Sequence, residues 1–139
     1  MSLATTSRKG VADDWVLDSS CMNHMCPHRD WFDNYEPVDT GIVLIGSNTE
    51  CKVGGRGTVQ IKTHDGMVRT LSKVRHIPDM TRNLISLGTL EANGCRYSAQ
   101  NGVLKVMKGA MVLMKGLRQG SVYFLQGTFI TGSAAVCTT

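Results

Sequence analysis

Short apolar runs separated by glycine-bearing turns constrain this chain more than any other feature. Ile42-Val43-Leu44-Ile45, Val103 to Met107, Met111 to Met114 and Val122-Tyr123-Phe124-Leu125 are each of strand length, and none continues far enough for a long helix. Thr58-Val59-Gln60-Ile61-Lys62 alternates with period two up to His64-Asp65-Gly66. Asp-Gly there signals a hairpin, with a return strand expected from Met67 to Ile77 that stops at Pro78. Asn101-Gly102 and Lys108-Gly109 read as further turns. One stretch reads as a short helix of about two turns: Ser86 caps it, Leu84, Leu87 and Leu90 recur at spacing three, and Gly94 ends it in the left-handed conformation. With 15 glycines, 3 prolines and 6% aromatic residues in 139, the composition suits short strands and tight turns. The expected class is all-β with one helix, in a single domain. No uncharged apolar run is long enough to cross a membrane as a helix.

Charge is distributed unevenly. Residues 1–50 carry 3 basic and 8 acidic side chains, residues 51–91 carry 7 and 3, and residues 92–139 carry 5 and 0. The basic C-terminal part is compatible with a nucleic-acid surface, but its cations are dispersed among apolar residues as on solvated strand faces, and that reading is favoured. Residues 1–13 read as a flexible leader in which Met1-Ser2-Leu3 is an appended start. Residues 14–127 form the expected domain, and residues 128–139 read as a linker or tail. The five cysteines, Cys21, Cys26, Cys51, Cys95 and Cys137, are odd in number and without a tight framework, which favours reduced thiols.

Three local features could carry chemistry. Leu17-Asp18-Ser19-Ser20 places a carboxylate at the tight turn after an apolar strand, where it can be held rigidly; a turn-initiating Asp bonded to its own backbone is the commoner use of such a motif. Val53-Gly54-Gly55-Arg56-Gly57 interrupts the next strand pattern. It is not a phosphate loop, because no Lys-Ser or Lys-Thr follows, and its glycines point to a bulge, a flexible hairpin or a close backbone approach. Asn83-Leu84-Ile85-Ser86-Leu87-Gly88 is a buried strand-to-helix joint. Cys21, His24, Cys26 and His28 leave two readings open. As ligands they could hold zinc, but residues two apart on an extended strand leave little room for four to converge. Packing of the thiols, with His24 hydrogen-bonded near the Asp18 turn, is favoured, so no metal or cofactor is expected.

In this order the three features resemble the aspartic protease segment of Ty1/copia-type retrotransposon polyproteins, particularly those of plants, within the retropepsin-like proteases. The stretches that carry the resemblance are Asp18-Ser19-Ser20-Cys21, Met25 to Phe32, Val74 to Asp79, Asn83 to Gly88 and Gly132 to Val136. The resemblance implies a closed, retropepsin-like β-barrel followed by additional C-terminal hairpins. It also implies an aspartic endopeptidase that processes its own Gag-Pol polyprotein, with Asp18 as the catalytic aspartate, Ser19 the hydroxyl residue after it and Ser20 the third residue of the turn. On the same basis Val53, Gly54, Gly55, Arg56 and Gly57 form a flap over a polypeptide substrate. Because the chain holds one such turn, the resemblance further implies a homodimer, located in the cytoplasmic virus-like particle of the element, with no membrane partner. Two departures stand out: Ser20 occupies a position where the family has glycine, and Leu87 one where retroviral proteases have arginine. The strands beyond Cys95, residues 103–125, are then expected to supply or buttress the dimer interface. The competing reading is a β-barrel interaction module of the polyprotein with weak or no catalysis, able to bind RNA through its basic half.

Overall fold

The Trp15-Val16-Leu17 triplet is buried throughout: Trp15 and Leu17 share the face that joins the main core, Val16 points to the other face, and strands flank the triplet along both edges. The computed structural model describes residues 13–38, 41–45 and 49–129. In it, β1 (Trp15–Asp18) pairs in parallel with β8 (Asn83–Ser86) and antiparallel with β12 (Val122–Leu125). Between the first two of these lie β2 (Met25–Cys26), β3 (Phe32–Pro37), β4 (Ile42–Ile45), β5 (Thr49–Lys52), β6 (Gly55–Lys62) and β7 (Val68–His76). After β8 come α1 (Leu87–Ala92), β9 (Arg96–Gln100), β10 (Val103–Lys108) and β11 (Met111–Gln119), and β13 (Thr128–Phe129) follows β12. The main sheet runs β13-β6-β7-β2-β8-β1-β12-β11-β10-β9, with β3 branching from β6, while β4 and β5 form a separate hairpin.

This is the expected all-β, barrel-like architecture with one short helix. Its main core draws on both halves of the sheet: Trp15 and Leu17 from β1, Val59 and Ile61 from β6, Ile85 from β8, Val106 from β10 and Met114 from β11. Burial of each such side chain contributes about 1.5–3 kcal/mol, and strands so far apart in the order share one core only if the sheet wraps around it. A second cluster holds Met25, Cys51, Val53, Ile77 and Met80, with Cys21 and Val43 at its margin.

Local chemistry sets the ends of the elements. Gly66 takes the left-handed conformation (φ 79°) in the β6–β7 turn, where Thr63 Oγ1 and Met67 N–H both donate to Asp65 Oδ1. The α1 helix begins with Thr89 N–H donating to Ser86 Oγ at 3.1 Å. It ends with Gly94 at φ 97°, and Gly94 N–H and Cys95 N–H donate to the carbonyls of Glu91 and Leu90, the paired pattern of a glycine-terminated helix.

Three expectations need correction. Within Gly54-Gly55-Arg56-Gly57 only Gly54 stands between strands, whereas Gly55 and Gly57 lie inside β6. A Cβ on Gly55 would lie 2.3 Å from the Tyr35 ring and one on Gly57 2.7 Å from the Asp33 carbonyl oxygen, so here glycine serves close approach of β3 to β6. The segment around Cys26, which reads as a polar loop, contains β2, whereas β9 stands where β structure is expected after Cys95. Residues 128–129 extend the sheet beside β6, although the sequence there reads as tail. The leader up to Ala12, residues 130–139 and the Gly132-to-Val136 stretch lie outside the described residues.

Candidate active site

Parallel pairing of β1 with β8 puts Asp18 directly opposite Ser86. Two motifs more than sixty residues apart in sequence therefore meet at one end of the sheet, where the chain leaves β1 in a turn and leaves β8 into α1. Asp18 is half-buried, whereas Ser19 and Ser20 are exposed. Asp18 Oδ1 accepts from Ser20 N–H at 2.8 Å and from Ser20 Oγ at 2.7 Å. The carboxylate is thus oriented by its own turn, and Ser20 supplies a second donor that glycine would lack.

Behind the turn, Ser86 joins three segments. Its hydroxyl donates to the Cys21 carbonyl at 2.8 Å while accepting from Thr89 N–H, and its backbone N–H donates to His24 Nδ1 at 2.9 Å. His24 therefore carries its proton on Nε2, and burial pulls its pKa down to about 4. Thr89 Oγ1 donates to the Met22 carbonyl at 3.0 Å. These bonds tie the loop of residues 18–24 to the start of α1. The His24 carbonyl accepts from Arg75 N–H, which fixes the same loop to β7.

The four candidate metal ligands are engaged separately. Burial, reinforced by the Asp18 charge, pushes the Cys21 thiol up to about 11, and burial pushes Cys26 to about 12. Cys26 Sγ accepts from His28 N–H, and the His28 ring stacks on Trp31 at 4.0 Å between centroids. Among the described residues, no group of three or more His, Cys, Asp or Glu side chains is placed to hold a metal ion.

Val53 to Gly57 is brought near this region but not as a hairpin tip. Val53 and Gly55 are buried; Val53 N–H donates to the Gly41 carbonyl and Gly54 N–H to the His76 carbonyl, so both donors are used within the fold. The paired hairpin in this part of the chain is β4–β5, with Ile45 opposite Thr49. Val43 and Cys51 pack in the second cluster beside Cys21, which anchors the base of the hairpin next to the Asp18 loop. Gly46-Ser47-Asn48 after an apolar run is the turn signal that could have located it.

A second polar group was not legible in the sequence. Tyr35 Oη and His76 Nδ1 lie 2.7 Å apart, and the Arg29 guanidinium sits 3.6 Å from the Tyr35 ring centroid. Its contacts link β3, β7 and the 3-10 turn Arg29–Trp31.

Comparison with known proteins places this architecture. The chain is 36% identical over 114 residues to the retrovirus-related Pol polyprotein from transposon TNT 1-94 of Nicotiana tabacum, a match covering 82% of this chain and 9% of that protein. It is 29% identical over 85 residues to the putative transposon Ty5-1 protein of Saccharomyces cerevisiae, covering 61% of this chain and 55% of that one. The chain thus spans less than two thirds of either relative. No solved structure gives a significant match. The family profile described as Pol polyprotein, beta-barrel domain matches residues 15–95, from the first residue of β1 to the end of the α1 cap, and with the two transposon relatives it shows that the chain belongs to this family of retrotransposon Pol polyproteins of the Ty1/copia type.

Proposed function

We propose that this domain is an aspartic endopeptidase that processes its own polyprotein, working as a homodimer in which two Asp18 turns meet. The observation that carries the reading is the register of Asp18 opposite Ser86: a carboxylate at the end of a buried strand, held by its own turn and braced by the strand-to-helix joint. Aspartic catalysis needs two carboxylates that share one proton. This chain has one such turn, so the second carboxylate comes from a second copy. Close approach of like charges keeps one carboxyl protonated and the other ionised. The ionised Asp18 takes a proton from water as the water oxygen attacks the peptide carbonyl. The protonated one donates to the developing oxyanion, and the amine leaves after accepting a proton. The exposed Ser19 hydroxyl lies beside this carboxylate in sequence, and Ser20 orients it. In this reading the β4–β5 hairpin takes the covering role that Val53 to Gly57 was expected to fill, since its base rests beside the Asp18 loop and its strands are outside the main sheet.

The test is self-processing. A precursor extended at either end should cleave at mildly acidic pH, be blocked by a statine inhibitor that mimics the tetrahedral intermediate, and lose cleavage in Asp18→Asn. Cleavage that persists in Asp18→Asn would remove Asp18 from the mechanism. A folded precursor that never cleaves would favour the interaction-module reading.

A further inference from the structure

We propose that the outer face of the C-terminal sheet, formed by β9 to β12, docks an acidic amphipathic helix of a protein partner. An antiparallel sheet packed on one side and solvated on the other alternates apolar with polar residues. These strands do not. Leu104 and Val106 point into the core, yet Val103, on the opposite side of β10, is apolar as well. Its cross-strand partner is Leu117, which is 43% exposed, and Leu117 in turn faces Phe124. Val103, Leu117 and Phe124 thus form an apolar row across three strands, and none of them belongs to either core cluster.

The neighbouring row is cationic. Lys105 lies directly opposite Lys115, an arrangement that costs stability in an isolated sheet because like charges face each other. One row further along the strands, Arg96 lies opposite Met107, and its guanidinium reaches the Met107 sulfur at 3.9 Å, which holds that charge on the same face. Residues 92–139 contain no Asp or Glu. Among the described residues, no ion pair involves Arg96, Lys105 or Lys115.

Charge complementarity selects the occupant. A second copy laid face to face would oppose lysine to lysine, so self-association through this face is disfavoured. Single-stranded nucleic acid binds basic surfaces by stacking bases on exposed aromatic rings, but the row is mainly aliphatic, and its one aromatic ring, Phe124, is half-buried with the Arg82 guanidinium 5.9 Å above it. A helix with an apolar stripe and flanking carboxylates satisfies both rows, since the stripe covers Val103, Leu117 and Phe124 while the carboxylates reach Arg96, Lys105 and Lys115.

The test is an amide NMR titration of the full chain with a synthetic helical peptide that has leucines on one face and glutamates on its flanks. A single-stranded oligouridylate is titrated in parallel at the same ionic strength. The expected result is peptide-induced shifts confined to β9–β12, weakened about tenfold or more when Lys105→Glu and Lys115→Glu are combined. Lys105→Ala with Lys115→Ala serves as the milder variant, and its unperturbed spectrum verifies the fold. Tighter binding of the oligouridylate would transfer the face to nucleic acid. Absence of shifts with either probe, or equal peptide affinity in the charge-reversed protein, would overturn the proposal.

Discussion

The smallest unit that decides the site is the bond from Ser86 N–H to His24 Nδ1, because it works only while the imidazole is neutral. His24 is 3% exposed, and burial lowers its pKa from 6.5 to about 4. The unfolded chain therefore binds a proton below about pH 6.5 that the folded chain refuses until about pH 4. This contribution to stability is complete above pH 6.5 and is lost as pH falls toward 4. By pH 5 the loss amounts to about 2 kcal/mol. His24→Gln keeps an acceptor for Ser86 N–H without a titrating ring, so denaturant titrations from pH 7 to 5 should show a shallower decline in the variant than in the parent. Equal slopes would mean that His24 is not held neutral in the folded state. The sequence had pointed to a hydrogen-bonded His24 near the Asp18 turn. It could not supply the partner, because Ser86 lies 62 residues away and meets His24 only where β8 inserts between β2 and β1. Ser20 illustrates the same limit: its departure from glycine was visible, but its hydroxyl bond to Asp18 was not.

Among the elements, those governed by local chemistry were the legible ones. The hairpin at Asp65-Gly66 and the helix between Ser86 and Gly94 depend on residues within a few positions of each other, and both stand where their turn and cap residues put them. By contrast β2 is two residues long inside a polar loop, both of them buried and too few to show a period of two, and the five residues of β9 are all exposed, so neither imposes an alternating pattern on the sequence. The glycine segment was legible only as a set of alternatives, since close approach depends on β3, which arrives from elsewhere in the chain. Gly57→Ala tests that explanation. Its Cβ would meet the Asp33 and Asn34 carbonyl oxygens at 2.7 and 3.2 Å, both backbone atoms, so β3 must move, at a cost of about 1–3 kcal/mol. Gly88→Ala, in α1, meets nothing closer than Ser86 Oγ at 3.9 Å and should stabilise by about 0.5–1 kcal/mol through helix propensity. Thermal unfolding of the two variants should move in opposite directions. A Gly57→Ala protein as stable as its parent would return the segment to a flexible role.

Across the whole molecule, the strand order limits how two Asp18 turns can meet. Strands 103–125 were expected to present an edge for self-association, but β10, β11 and β12 each have a neighbour on both sides. In this half of the described sheet the free edge is β9. It lies four strand steps from β1, which at ~4.8 Å per step is about 19 Å along the sheet. Two copies joined at β9 would place roughly 40 Å of continuous sheet between their Asp18 residues, too far for carboxylates that share a proton. A catalytic dimer therefore has to form around the turn itself. There Ser19 and Ser20 are exposed, and Met22, 85% exposed, offers an apolar side chain next to the anchored loop. Edge pairing at β9 can be disrupted independently: in an antiparallel self-pairing centred on Ser98, Ser98→Lys would set two lysines directly opposite each other. Sedimentation over a concentration series, with a statine inhibitor present, should show a weak dimer in the parent and in Ser98→Lys. In Met22→Asp the added carboxylates repel across the axis, so the dimer and precursor cleavage should be lost together while the fold is retained. Loss of the dimer in Ser98→Lys instead would place the interface at β9, where this strand order leaves Asp18 without a mate.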